Sequence, residues 1–448
     1  MMELGDFTHV QTALEDLVGG RVFIGKALSR MFRQMDLAPA EQRFWREFVY
    51  GCVQLKNRYR TIIEQFSEQH PGKDDWPLDA RFFFICRYLE NPNPGRVERE
   101  IYRLLSGKSR VRKLVEFLKA TDTRQLFPHP KKEEAAFLWQ YHSHPLWMIR
   151  KWLGLFGPAE TLQLCRFNNG RPDVALRVNP LHVSRAALRK DLEQAGIPCR
   201  ESDASPLGLE ILGDFDPLPH PRYRRADFTL QKIASQLICF YLNPRPGQRV
   251  VDYCAGEGGK TLLLSHIMKG KGEIHAHDRQ AWRLQNLKQR AKKEGIPNVR
   301  LEGLQAIQAL SGSFDLVVLD VPCSGSGNFR HQPELKWKLT AESLQDYNSL
   351  QLRLLDEAAP LARAGGLMGY ITCSIFQEEN HKVVHRFLKL HPNWERVAPA
   401  DFLRESHASE FWLPRDRFAP YLDDHYLQIL PQRHDLTGMF TAILRKTS

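Results

Sequence analysis

The sequence predicts a parallel, doubly wound α/β domain preceded by an all-helical domain and a small α+β domain. With 448 residues, the chain is about three times a common domain length, so two or three domains are expected. Residues 1–140 carry helical periodicity, 141–230 mix helix and strand patterns, and 231–448 alternate strands with helices. Repeated β-α units of the last kind argue for a parallel sheet with helices on both faces.

In the first domain, Phe44, Phe48, Cys52 and Leu55 fall on one face of a segment starting near Pro39. Glu41, Arg43, Arg46, Glu47 and Lys56 fall mostly on the other, which makes an amphipathic helix. Breaks are expected at His70-Pro71-Gly72 and Asn91-Pro92-Asn93-Pro94-Gly95. Between Arg103 and Lys132, nine basic residues stand against Glu116 and Asp122. They suit a solvated helix face or a phosphate-contacting patch. Phe82, Phe83 and Phe84 read as core; Trp45, Trp147 and Trp152 fit core or a stacking surface equally. In the second domain, residues 174–178 alternate as a strand, and 184–195 read as a helix capped by Ser184. Pro221-Arg222-Tyr223-Arg224-Arg225 is a basic, aromatic-bearing link, suited to nucleic acid or to an exposed linker. In the third, strands are expected at 250–253, 273–277, 298–302, 316–320 and 367–372, with helices at 260–268, 280–293, 341–362 and 378–390. Two further strand-like runs lie at 426–430 and 441–444.

Composition bounds the function. Apolar residues make up 42% and charged residues 26%, values of a soluble globular chain rather than a disordered one. No apolar run approaches the roughly 18 residues of a membrane helix, so no membrane partner is expected. Glu3, Asp6, Glu15 and Asp16 argue against a secretory signal and for a cytoplasmic protein. Lys plus Arg is 63 against 52 Asp plus Glu, and the net charge of +11 suits a polyanionic partner. Cys52, Cys86, Cys165, Cys199, Cys239, Cys254, Cys323 and Cys373 show no CxxC spacing, so neither a zinc ribbon nor a disulfide framework is indicated. His381 and His385 have zinc-compatible spacing but lack an evident third ligand, and Glu378, Glu379 and Lys382 make that segment read as a solvated face. No metal is expected, and the chain is read as a monomer.

The segment Val250-Val251-Asp252-Tyr253-Cys254-Ala255-Gly256-Glu257-Gly258-Gly259-Lys260-Thr261 reads as strand, glycine-rich turn and helix start. Such a turn lets the backbone approach a ligand, and the helix N-terminus favours an anionic group. A nucleotide P-loop would need glycine where Cys254 stands, and a dinucleotide fingerprint would need glycine where Thr261 stands. S-adenosyl-L-methionine, with its carboxylate and ammonium, is the third candidate. Asp278 ends the second strand twenty residues after Gly258, where an acid can bind both hydroxyls of a ribose.

Asp320-Val321-Pro322-Cys323-Ser324-Gly325-Ser326-Gly327 follows one predicted strand, and Ile371-Thr372-Cys373-Ser374 follows another. Ligands in such sheets sit beyond the carboxyl ends of the strands, so both thiols should lie beside the glycine loop. The other cysteines are expected to be small buried hydrophobes.

These three motifs together resemble the RNA (cytosine-C5) methyltransferase family, in its bacterial Sun/Fmu (RsmB-like) branch. The resemblance is strongest over 230–448. It reaches upstream through Leu176-Arg177-Val178-Asn179-Pro180 and through Phe44-Trp45-Arg46-Glu47-Phe48-Val49-Tyr50, which is similar to a NusB-like helical RNA-binding domain. Pro431, His434 and Gly438-Met439-Phe440 resemble the branch's closing motif. The resemblance implies an S-adenosyl-L-methionine-dependent (Rossmann-like) catalytic domain acting on ribosomal RNA, with transfer RNA as the alternative. It implies Cys373 as nucleophile, Cys323 as the group assisting release, and Asp320 on the N3/N4 edge of the base. It places Cys254, Ala255, Gly256, Glu257, Gly258, Gly259, Lys260, Asp278 and Asp320 around the cofactor. The chemistry needs such groups: carbon 5 of cytosine attacks a methyl sulfonium only after a thiolate adds at carbon 6. Cys373 should then sit where its pKa is lowered.

The chain departs from the family pattern at three places. The acid usual after the third strand is replaced by Gly303-Leu304-Gln305-Ala306, where Gln305 could supply one hydrogen bond. The common Cys-Ala-Ala-Pro-Gly-Gly-Lys is Cys-Ala-Gly-Glu-Gly-Gly-Lys. Gln-Asp-x-x-Ser-Gln appears as Gln231-Lys232-Ile233-Ala234-Ser235-Gln236. Two other readings use the same features: a non-catalytic RNA-binding or ribosome-assembly factor on this scaffold, and a nucleotide hydrolase from Gly259-Lys260-Thr261.

Overall fold

A computed structural model describes residues 9, 12–17, 22–35, 39–71, 83, 85–87, 90, 109–213, 215–405 and 413–448. The expected break at 91–95, Phe82, Phe84, and residues 103–108 of the basic window lie outside the described residues. The chain packs as two compact units, residues 1–171 with 329–339, and 172–328 with 340–448.

The first unit is helical: Ile24–Gln34, Pro39–Gln54, Lys56–Gln69, Ser109–Ala120, Glu134–Gln140 and Leu146–Asn168. The predicted face of Pro39–Gln54 carries Phe48 and Cys52 into the core, with Trp45, Val49 and Val53 beside them. Burying such side chains yields about 1.5–3 kcal/mol each, which makes this stripe a main source of the unit's stability. Trp45, Trp152 and Phe83 are fully buried core residues, so none of the three is a stacking platform. The long helix Leu146–Asn168 is kinked where Gly157 takes φ +70° before Pro158, a proline that has no N–H to give the preceding turn. Residues 329–339 join this unit through the short helix Leu335–Lys338. The indole N–H of Trp337 donates to the Val53 carbonyl at 2.8 Å, and Lys336 Nζ donates to the Gln54 carbonyl at 2.7 Å.

The second unit holds both sheets. Strands β1 (Val174–Val178), β2 (Cys199–Glu201), β3 (Gly208–Ile211) and β4 (Phe228–Leu230) form an antiparallel sheet in the order β2-β3-β1-β4. The helix Arg185–Gln194 is capped as expected, Ser184 Oγ accepting the Ala187 N–H at 3.2 Å. In the predicted basic link, the helix Pro221–Arg224 turns Arg222 inward onto Asp227, at 2.9 Å, and onto Asp191. That arginine serves the fold rather than an open nucleic-acid surface.

The larger sheet comprises β5 (Arg249–Asp252), β6 (Glu273–Ala276), β7 (Val299–Leu301), β8 (Phe314–Asp320), β9 (Ala362–Thr372), β10 (Trp394–Val397), β11 (Leu427–Ile429) and β12 (Met439–Lys446). Its order is β10-β12-β9-β8-β5-β6-β7, with β11 beside β12. Strands β7-β6-β5-β8-β9 run parallel; β12 pairs antiparallel with β9, β10 and β11. Helices Ile233–Leu242 and Gly259–Ile267 cover one face, and Ser343–Ala358 and His381–Leu390 the other, each burying an apolar cluster against the sheet. This is the doubly wound arrangement. The chain order reverses at β5, so a crevice opens beyond the carboxyl ends of β5 and β8.

Candidate active site

Four strand ends supply the site. The end of β5 runs into the glycine turn, where Gly256 and Gly258 take φ +55° and +82° before the helix Gly259–Ile267. The end of β6 delivers Asp278, which accepts the Gly256 N–H at 2.9 Å and the Gln280 N–H at 2.8 Å, tying the turn to the next helix. The end of β8 delivers Asp320, bonded at 2.5 Å to Lys260 Nζ from the glycine-loop helix. The end of β9 delivers Cys373.

Asp252, Cys254, Ala255, Gly256, Glu257, Gly259, Lys260, Asp278 and Asp320 all line one cleft of about 560 Å³. Tyr253, Val321, Pro322, Leu350 and Leu354 add apolar wall. Gly258 is the exception among the anticipated loop residues. It caps the helix behind the cleft, and a Cβ there would stand 2.0 Å from Leu287 Cδ1. Gln305 is exposed and does not line the cleft; His277 does, its Nδ1 within 3.0 Å of the Glu302 carbonyl. Asp252 is buried with Oδ2 accepting the Thr261 hydroxyl at 2.7 Å and Oδ1 without a protein partner. Burial pushes its carboxyl up to about 7.

The two thiols meet. Cys323 Sγ and Cys373 Sγ are 3.3 Å apart, and the Cys373 N–H points at Cys323 Sγ over 3.3 Å. Both are half-buried, whereas Cys52, Cys86, Cys165, Cys199 and Cys239 are buried. The Cys323 hydrogen bond lowers the pKa of Cys373, with Lys232 and Lys260 adding to the effect against burial and Asp320. The same bond, together with burial, raises the pKa of Cys323 well above its ordinary value. The pair is thus asymmetric, with Cys373 the more acidic of the two thiols.

A buried polar network holds the two cysteine loops together. Glu379 Oε1 accepts the Ser324 N–H at 2.7 Å and Gln351 Nε2 at 3.1 Å, while Oε2 accepts the Ser374 hydroxyl at 2.5 Å. Ser326 Oγ accepts the Ile375 N–H at 2.9 Å, and the Gly327 N–H donates to the Cys373 carbonyl at 2.9 Å. The expected solvated face at 378–382 is therefore corrected: Glu379 is fully buried, because the helix starts at His381 and Glu379 lies in the turn before it. His381 packs on the rings of Tyr426 and Phe440, 4.9 and 5.2 Å between centroids. Among the described residues, no three His, Cys, Asp or Glu side chains group as metal ligands. Glu379, Gln351, Asn328 and Lys232 carry no motif of their own; only the departure from Gln-Asp marked Lys232. The closing motif reaches the same place, the Gly438 N–H donating to the Gly327 carbonyl at 2.9 Å. A Cβ on Gly327 would fall 2.4 Å from the Gly438 carbonyl oxygen.

Residues 239–445 match the family described as 16S rRNA methyltransferase RsmB/F, and 144–216 match the ferredoxin-like domain of RsmF/B-like methyltransferases. A protein of Synechocystis sp., named probable ribosomal RNA small subunit methyltransferase B, is 30% identical over 434 residues, covering 94% of each chain. The chain belongs to the RsmB/F methyltransferase family. This RsmB/F-family enzyme is also 25% identical to the Bacillus subtilis protein of the same name, over 97% of each chain. Its structure is similar to the crystal structure of PH0851, with TM-score 0.76, 26% identity and coverage of 100% and 99%. A methyltransferase homolog protein from Pyrococcus horikoshii, at TM-score 0.57 and 23% identity over 71% of this chain and 100% of that one, shares the fold. Among the described residues of this RsmB/F-family chain, no helix is long and apolar enough to cross a membrane.

Proposed function

We propose that the chain methylates carbon 5 of cytosine in RNA, small-subunit ribosomal RNA first, with S-adenosyl-L-methionine as methyl donor and Cys373 as covalent nucleophile. The observation that carries this is the thiol pair, 3.3 Å apart at two strand ends, with the Cys373 pKa lowered and the Cys323 pKa raised. A methyltransferase that used no adduct would need no such pair. The names of the relatives supply the choice of RNA, and the cytoplasm is where that RNA is made and assembled.

The cleft residues fit the donor. The backbone of Cys254 to Lys260 suits its methionine end and Asp278 its ribose, while the unpartnered Oδ1 of buried Asp252 lacks a hydrogen-bond donor that a ligand ammonium would provide. When bound, S-adenosyl-L-methionine supplies a methyl group on a sulfonium. The remaining steps belong to the chain. The Cys373 thiolate bonds to carbon 6, and the ring electrons move to carbon 5. Asp320 holds the N3/N4 edge as the ring gains a proton, and Lys260 keeps Asp320 in place. After carbon 5 has been methylated, its proton passes to Cys323, as base or through a bound water, and the ring gives back the proton it gained beside Asp320. The sulfur–carbon 6 bond breaks with its electron pair going to sulfur, and Cys373 returns as thiolate. Cys323 sits beside that bond and assists the release. Within this reading, residues 1–140 recognise RNA, 141–230 link, and 231–448 catalyse, in a monomer.

The test is a denaturing gel of wild type, Cys323→Ala and Cys373→Ala after incubation with S-adenosyl-L-methionine and unmodified ribosomal RNA. A covalent protein–RNA band in Cys323→Ala alone is expected. The band in Cys373→Ala alone would swap the roles. No band and no methyl transfer, repeated with transfer RNA, would sink the proposal in favour of a binding factor.

A further inference from the structure

Lys232 lies outside the motifs that define the site, yet its side chain enters it. The residue caps the helix Ile233–Leu242, and its Nζ donates to Asn328 Oδ1, at the end of the Cys323 loop. Next to Asn328, Gly327 donates its N–H to the Cys373 carbonyl. One short path of contacts therefore connects the ammonium to the Cys373 turn.

The charges around Cys373 decide what that ammonium can do. Asp320, Lys260 and Lys232 act on the thiol directly, Cys323 through its hydrogen bond, and Glu379 on Cys323. Lys260 is ion-paired with Asp320 at 2.5 Å, so at the sulfur the two largely offset each other: Asp320 disfavours the thiolate and Lys260 favours it. Lys232 is bonded to a neutral amide. Its strongest electrostatic partner is Cys373, ahead of Asp173 and Lys260. A half-buried cation whose hydrogen bond goes to a neutral amide acts on a thiolate with little screening.

We propose that Lys232 is a positioning residue for the reaction, supplying the net positive charge that holds the Cys373 sulfur as thiolate. The proposal rests on Cys373 being the nucleophile. Burial draws the Lys232 ammonium down to about 8, so its help fades above that pH, where the free thiol needs it less.

Alkylation of Cys373 by iodoacetamide, followed across pH by mass spectrometry of its peptide, tests this without relying on activity. Lys232→Gln keeps a donor for Asn328 but removes the charge; Lys232→Arg keeps both. Buried Cys239, whose thiol is pushed up to about 12, reports unfolding if it becomes alkylated. The expected result is a midpoint roughly one pH unit higher in Lys232→Gln, with about tenfold slower alkylation at pH 7, and a near wild-type midpoint in Lys232→Arg. Methyl transfer by Lys232→Gln should fall in parallel at pH 7 and recover toward pH 9. An unchanged midpoint in Lys232→Gln with Cys239 protected would overturn the role of Lys232 while leaving the nucleophile intact. Lys232→Arg behaving like Lys232→Gln would also overturn it, since the charge would then not be what matters. Full methyl transfer by Cys373→Ala would overturn the nucleophile itself, and this role with it.

Discussion

The Glu379 carboxylate accepts three hydrogen bonds inside the protein and reaches no solvent. Removing it leaves the Ser324 N–H, the Gln351 amide and the Ser374 hydroxyl without that acceptor, and a lost hydrogen bond to a charged group is worth about 1.5–3 kcal/mol. Glu379→Ala should therefore lower unfolding stability by about 3 kcal/mol, read by urea denaturation, and should also slow methyl transfer by loosening both cysteine loops. A Glu379→Gln variant keeps two of the three bonds through its carbonyl oxygen and should lose about half as much. The two cysteines could be read in the sequence because each follows a predicted strand within a motif that resembles the family's. Glu379 could not, because Glu378, Glu379 and Lys382 look alike as charged helix residues until the helix start is known. His381 taking up the first helical position puts Glu379 in a buried turn and leaves Lys382 exposed on Glu378 at 2.9 Å.

At the scale of elements, the glycine turn separates stability from binding. Gly258 and Gly256 both have left-handed backbones, but only a Cβ at Gly258 would collide, with Leu287 at 2.0 Å; at Gly256 nothing lies within 4 Å. Gly258→Ala combines backbone strain with overpacking and should cost about 3 kcal/mol of stability. Gly256→Ala should cost about 1 kcal/mol, while weakening cofactor binding more than Gly258→Ala does per unit of stability lost. Calorimetric titration with S-adenosyl-L-methionine beside thermal unfolding of both variants checks this ordering. Strand β1 and the parallel strands were legible because each alternates or runs apolar between turn signals. Strands β2, β3 and β4 span only three or four residues, and β10 is a four-residue antiparallel addition. Those pairings are fixed by neighbours far away in sequence, which local periodicity does not record. The expected helix at 341–362 ends at Ala358 because Pro360 and the start of β9 draw the chain back into the sheet.

At the scale of the whole molecule, one chain serves each compact unit twice. The first unit recruits residues 329–339 from between β8 and β9, and Lys336 in that segment is fully buried, bonded to the Gln54 carbonyl and Asn169 Oδ1. Burial draws its ammonium down to about 7 from an ordinary 10.5. Below about 7 the lysine is charged in both folded and unfolded chains and the full cost of burial is present. As pH rises toward 10.5, the folded chain is already neutral while the unfolded chain still binds the proton, so the cost disappears. The stability of wild type relative to Lys336→Met should therefore shift in favour of wild type between pH 7 and 10, measured by denaturant unfolding at several pH values. A flat difference would show that the buried lysine keeps its proton throughout. The division at residue 171 was not readable, since the sequence shows a change of composition near 141 but not which helices the segment 329–339 will join.

The Gly327–Gly438 approach has a temporal consequence. Synthesis proceeds from the N-terminus, so Cys373 emerges well before Gly438, and β9 waits for β12 to pair along its length. Until then the Cys323 loop lacks the Gly438 contact, although β8 and β9 can already pair and bring the two thiol loops together. We therefore expect a chain ending short of Gly438 to transfer methyl groups poorly, which an assay of a variant truncated after Thr437 would check.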